Sequence, residues 1–176
     1  YQKGAYEKAI PFFERRIEKN PNNINTYVYL ASSYLGLKQY DQVVKTTQKA
    51  FDIAPGHIRL MLLEAEAYYR TDYLKSIPIY KKITDRLEDE GDQELEGITL
   101  AQINAYLGHL YQRKASELYK ASNFNEAITN NKTARNYSPV RLNIHNNLAY
   151  VLLQQKKRAE AIKVLEKATS RFAESE

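Results

Sequence analysis

Apolar residues recur along this chain three and four positions apart, and no stretch alternates in the manner of a strand over several residues. The pattern itself repeats. Ala31, Ala65, Ala115 and Ala149 are spaced 34, 50 and 34 residues apart, and a second set, Ala50, Ile83, Ala134 and Ala168, is spaced 33, 51 and 34. The turn signals keep the same period: Pro21 and Pro55 are 34 residues apart, and Pro139 closes a third phrase of the same kind. Proline ends a helix because it has no amide to donate and turns the preceding residue away from helical angles. The pattern therefore predicts helix pairs joined by tight turns. A unit of this size cannot bury its apolar face alone and must stack on its neighbours, which makes a solenoid.

The register breaks once. From Ile83 to Tyr111 there are 28 residues, against 11 for the matching pair Ala50 and Met61, so 17 residues are inserted. The first half of the insertion, Glu88 to Asp92, reads as an acidic loop. The second half has Leu100, Ile103, Leu107 and Leu110 at helical spacing, and Thr99 with Gln102 fits a capping box. The spacing predicts a helix from about Leu100 to about Ala121, with Gly108 as a point where it could divide. Pro11 and Pro78 occupy equivalent phrases, Tyr-Glu-Lys-Ala-Ile-Pro and Tyr-Leu-Lys-Ser-Ile-Pro. Both are expected near a first turn, where amides have no helical partner.

These residues resemble the tetratricopeptide repeat. The unit from Ile24 to Pro55 supplies Tyr27, Leu30, Ala31, Tyr34, Tyr40, Ala50 and Pro55, and departs at Val43 and Thr47, where the family prefers alanine and an aromatic. The last unit supplies His145, Leu148, Ala149, Leu152, Ala161, Leu165 and Ala168. Two more carry Met61, Ala65, Tyr68, Tyr73 and Tyr80, and Tyr111, Ala115, Phe124 and Ala127. The opening residues look like a lone second helix, with Gly4 in the turn before it. The resemblance implies an all-α, right-handed superhelical solenoid of antiparallel helix pairs. The expected divisions are a partial repeat at 1–21, repeats at 22–55 and 56–87, an acidic insertion with a helix extension at 88–107, and repeats at 108–139 and 140–176. Both ends read as cuts within a longer array.

In this family the first helix of each pair lines a concave groove. The positions the resemblance assigns to a peptide-binding groove are Asn25, Tyr29, Arg59, Tyr69, Arg70, Arg113, Tyr119, Lys120, Asn143, Asn147 and Tyr150. Tyrosine offers rigid amphipathic contact area, and asparagine can pair with an extended backbone. Eight of the chain's 15 tyrosines fall in packing slots; of the other seven, those at 29, 69, 119 and 150 fall in groove positions and bear on binding. A clamp for C-terminal carboxylates in some family members maps to Val28, Ser32, Leu63, His109 and Arg113; only the arginine matches.

Charge refines this picture. The net charge is +5, yet Asp85 to Glu96 alone holds seven acids and one arginine. The remainder is basic, which suits an acidic partner with apolar anchors. There are no cysteines, so disulfides and thiolate chemistry are excluded. The three histidines are far apart and lack ligand neighbours at helical spacing, no phosphate loop or nucleophile motif is present, and no cofactor is implied. His145 stands in a packing slot. No run of 18 apolar residues exists.

The expected function is a non-catalytic protein–protein interaction scaffold that holds an extended or helical peptide. Two alternatives stand beside it: a recruiting module of a larger enzyme, and a binder of single-stranded nucleic acid. Apolar faces near Phe12, Ile17, Val164 and Phe172 are expected to be partly uncovered and to favour self-association.

Overall fold

The structure, a computed structural model, describes residues 2–89, 94–95 and 97–173. Within them the chain forms α1 (Gln2–Lys19), α2 (Ile24–Gly36), α3 (Tyr40–Phe51), α4 (Ile58–Thr71), α5 (Tyr73–Asp89), β1 (Glu94–Leu95), β2 (Ile98–Thr99), α6 (Leu100–Lys120), α7 (Phe124–Tyr137), α8 (Leu142–Gln154) and α9 (Arg158–Ala173). The two short strands pair with each other. Contacts divide the chain into two compact units, 1–98 and 99–176.

In the first unit α2 packs on α1 and α3, α4 packs on α3 and α5, and α2 also touches α4. In the second, α6 packs on α7, α7 on α8, and α8 on α9. The four repeating alanines Ala31, Ala65, Ala115 and Ala149 are at most 2% exposed, and so are Ala50, Ile83, Ala134 and Ala168. Small side chains at these positions let helix axes approach, and larger residues interleave around them. Leu30, Ala31, Tyr34, Val43 and Ala67 form one such seam in the first unit. Ala127, Ile128, Leu148, Ala149, Leu152, Ala161 and Val164 form the seam of the second. Tyr34 adds a bond at its rim. Its hydroxyl donates to Glu14 Oε1 at 2.7 Å, and burial together with that carboxylate pushes its pKa up to about 12.

Several buried hydroxyl residues bond back to their own helices. Thr47 is fully buried, and its hydroxyl donates back to the Val44 carbonyl at 3.0 Å; Ser76 and Thr84 do the same to Tyr73 and Tyr80. This local bonding explains how threonine stands in a slot the family gives to an aromatic.

Three helix-to-helix turns share one geometry. Lys38, Ser122 and Lys156 have φ of 60°, 61° and 59°. In each, the left-handed residue donates its amide three residues back and the next amide donates five back, as in Gln39 to Tyr34, Asn123 to Leu118 and Lys157 to Leu152. This is the Schellman arrangement, which usually uses glycine.

The structure departs from the sequence reading in several places. α1 is continuous from Gln2, so Gly4 lies within it and Pro11 is interior rather than in a first turn. Pro78 is likewise past the first turn of α5. Both prolines are exposed, where solvent can reach the carbonyls they leave unpaired. α5 runs to Asp89, so Glu88 and Asp89 are helical; the rest of the expected acidic loop, residues 90–92, lies outside the described residues.

α6 is unbroken across Gly108. A Cβ there would overlap Ser138 Oγ, so this glycine serves the close approach of α6 and α7. The capping box of Thr99 and Gln102 is formed in both directions. Phe12 is exposed, but Val164 is buried and Leu165 is not: α9 turns Val164 into the seam shared with α8. The side chain of Phe172 lies outside the described residues.

Two stability predictions follow from these contacts. Lys38→Gly, Ser122→Gly and Lys156→Gly relieve left-handed strain, and each is expected to add about 1 kcal/mol in urea denaturation, since side chains disfavour this region by roughly that much. Unchanged midpoints in all three would show the turns unstrained. Gly108→Ala gains about 1 kcal/mol of helix propensity but overpacks Ser138, so a net loss of up to about 2 kcal/mol is expected. A rise in its unfolding midpoint would refute the contact.

Candidate functional site

The groove candidates fall into two groups, one per unit. In the first unit, Asn25 and Tyr29 stand on α2 and Arg59, Tyr69 and Arg70 on α4. Tyr29 is 57% exposed and stacks on Phe13 of α1, with ring centres 5.6 Å apart. Arg70 donates to Glu66 at 2.8 Å and lies over the Tyr69 ring at 5.6 Å. Val28 is buried and Leu63 packs into the core, so two of the five carboxylate-clamp slots are apolar core positions.

The second unit brings the candidates together. Tyr119 and Lys120 at the end of α6 meet Asn147 and Tyr150 of α8 around a cleft of ≈ 290 Å³, with Gln112 and Ser116 beside them. The two tyrosine hydroxyls lie 3.3 Å apart and their rings 5.5 Å. Tyr119 also meets Phe124 edge-on. The hydrogen bond to Tyr150, aided by desolvation, raises the Tyr119 pKa. At the back of the cleft, Asn131 of α7 is 2% exposed; its Nδ2 donates to Ala127 O at 3.1 Å, while its Oδ1 has no partner. Arg113 and Asn143 are exposed on α6 and α8 but do not line this cleft, and Arg113 donates to Glu117 at 3.2 Å.

Sequence reasoning missed two features. Asn131 is on a second helix of a pair, outside the groove positions the resemblance assigns; only its place among buried positions of α7 signals it. A larger cleft, ≈ 740 Å³, lies between α1 and α3, floored by Tyr27, Leu30 and Tyr34 and rimmed by charges of both signs, including Glu14, Glu18, Lys45 and Lys49. The gap between consecutive second helices leaves no periodic trace in the chain. Among the described residues, no group of three His, Asp or Glu side chains could hold a metal.

Comparison with known proteins assigns the architecture. The profile described as "Anaphase-promoting complex, cyclosome, subunit 3" matches residues 2–76, and the one described as "Tetratricopeptide repeat" matches 142–174. The small glutamine-rich tetratricopeptide repeat-containing protein 2 of Saccharomyces cerevisiae is 32% identical over 94 residues, covering 53% of this chain and 26% of that protein.

The chain is a tetratricopeptide-repeat protein.

Sperm-associated antigen 1 of Rattus norvegicus is 25% identical over 119 residues, covering 67% of this chain and 13% of its own length. This tetratricopeptide chain thus spans about a quarter or less of these relatives. A crystal structure of MamA protein superposes with a TM-score of 0.60 at 16% identity, covering 96% of this chain and 83% of that one, which establishes a shared helical-solenoid fold. MamA from Desulfovibrio magneticus RS-1 gives 0.56 at 14% identity, covering 95% and 85%. The class of function carried by such repeats is a protein-interaction scaffold.

One buried acid gives the repeats a pH dependence. Glu64 of α4 is 8% exposed, and burial raises its carboxyl pKa, opposed by a hydrogen bond with Gln48 and the charge of Lys82. The folded form therefore holds this proton more tightly than the unfolded chain. The stability it contributes is full below the ordinary value of 4.5 and is lost as pH rises through the raised folded value. Glu64→Gln is expected to raise the thermal midpoint at pH 7 and to flatten the loss that wild type shows above that ordinary value. A lower midpoint at pH 7 would mean that the attraction of Lys82 outweighs desolvation.

Proposed function

We propose that this protein binds a segment of a partner protein along the faces of its first helices, and that the α6–α8 cleft is the anchoring point. The observation that carries this reading is the cluster of Tyr119, Tyr150, Asn147 and Lys120 around one open cleft, with the unpartnered Asn131 Oδ1 behind it. The tyrosine rings supply apolar contact, and Asn147, Gln112 and Asn131 can bond a peptide backbone through both donors and acceptors. An extended segment suits this mixture because its amides and carbonyls are unsatisfied.

The charge of the ligand follows from pairing. Arg70 and Arg113 each hold an acid on their own helix, Glu66 and Glu117. Lys120 lines the cleft itself. The ligand we favour has one or two acids near an aromatic or aliphatic anchor. On the first unit, Asn25, Tyr29, Arg59, Tyr69 and Arg70 form a candidate surface of their own, and on the second Arg113 and Asn143 are exposed on the helices that carry the cleft.

A random-peptide display library selected on the whole chain tests this. The enriched peptides should pair an acid with an aromatic or aliphatic residue. Tyr150→Ala with Asn147→Ala removes exposed cleft side chains and should weaken them at least about tenfold, as truncation of anchor residues does. Lys8→Ala with Lys81→Ala, both exposed elsewhere, should leave affinity unchanged. Equal loss in the two pairs, or none in either, would remove the cleft from the binding surface. Oligonucleotides outcompeting every selected peptide would favour the nucleic-acid alternative.

A further inference from the structure

The positive charge of this chain belongs to one unit. Residues 1–98 hold 14 cations and 15 acids; residues 99–176 hold 12 and six, so the second unit carries +6 and the first −1. Part of that charge is gathered on the flank formed by α7 and α9. Two depressions there, ≈ 300 and ≈ 470 Å³, share Arg135 and Lys167 in their linings. The larger also has Lys163 and the single acid Glu166, while the smaller has His145 of α8.

His145 supplies a second, independent observation. Its ring is 1% exposed, and Nε2 lies 2.8 Å from the Pro139 carbonyl oxygen. A carbonyl only accepts, so Nε2 carries the hydrogen and Nδ1 of the neutral ring is a lone pair. That atom has no partner. A buried acceptor without a donor marks a place where something else completes the bonding. Among oxyanions, a carboxylate or sulfate brings no proton near neutral pH. A phosphate monoester, whose second pKa is about 6, still carries one in part of its population, together with the negative charge that three cations attract.

We propose that this flank is a phosphate-binding surface. Arg135, Lys163 and Lys167 hold a phosphate carried on a segment of a partner protein, and His145 Nδ1 accepts its residual proton. The atom is buried, so the phosphate reaches it by parting the side chains that line the smaller depression. No tyrosine or phenylalanine lines either depression among the described residues, which leaves single-stranded nucleic acid without a stacking platform. The surface is formed by α7, α9 and the ring of His145, and does not rest on the reading of the α6–α8 cleft.

Three measurements on the whole chain test it. Inorganic phosphate, titrated near pH 7, should shift the imidazole nitrogen resonances of His145 in a saturable way and leave those of His57 and His109 in place; sulfate at equal ionic strength should shift them much less. A phosphoserine peptide rich in apolar neighbours should bind at least about tenfold more tightly than the same peptide with serine or aspartate. Arg135→Gln with Lys167→Gln should abolish both effects with an unchanged thermal midpoint, and Lys8→Gln with Lys81→Gln should abolish neither. Equal shifts from sulfate and phosphate would overturn the role of Nδ1, and equal binding of the aspartate peptide would overturn phosphate as the ligand. Displacement of the phosphopeptide by single-stranded oligonucleotide at lower concentration would overturn a protein partner.

Discussion

Everything in this chain depends on how closely one helix can lie against the next. The repeating alanines are almost wholly excluded from solvent, and no larger side chain could stand there without moving an axis. Gly108 takes the same principle to its limit, since even a methyl group would meet Ser138. Close axes in turn decide which residues interleave: leucines, isoleucines and tyrosines fill the space beside each small residue, and buried threonines and serines such as Thr47, Ser76 and Thr84 bond back to their own helix. The turn geometry follows from the same demand. Two helices held side by side must be joined in very few residues, and a left-handed residue reverses the chain in the space available, even where that residue is lysine or serine.

Most of the fold was legible because packing is periodic. Eight small or apolar positions spaced by the repeat were enough to place the helix pairs, and each is buried. The inserted stretch was legible in part: its capping box and apolar period marked the start of α6, which begins at Leu100. What was not legible is what does not repeat. Helix ends depend on cooperation with the preceding turns, so α1 extends through Gly4 and places Pro11 in its interior. In α9, Val164 and Leu165 are equally apolar, and only the packing against α8 decides that Val164 is the one enclosed.

The site was legible to a smaller degree, for a physical reason. A groove position is defined by facing outward, and outward positions carry no constraint from packing that a single chain could reveal. Tyr119, Lys120, Asn147 and Tyr150 line one cleft of the second unit, and the register assigns all four to first helices. The pairing of the outward cations was legible in the spacing as well, although the groove reading counts Arg70 and Arg113 as available charge. Glu66 and Glu117 stand four residues from Arg70 and Arg113, a spacing that favours pairing. Exposed pairs of this kind contribute little to stability, yet they occupy donors that a ligand would otherwise engage.

Tyr119 shows where scaffold and recognition meet. One face of its ring belongs to the seam of the second unit, packed against Phe124 and the buried cluster around Leu148, while its hydroxyl meets that of Tyr150 at the open cleft. Removing the ring would therefore disturb the fold and the cleft together, and a loss of binding in such a variant would say little about either. Tyr150 is half exposed and carries no comparable share of the core. The two members of the hydroxyl pair thus differ: packing holds Tyr119 in place, and Tyr150 beside it is the ring left open to solvent. On the reading proposed above, the fold in this way holds an anchor side chain without enclosing it, which spares a partner the cost of ordering it.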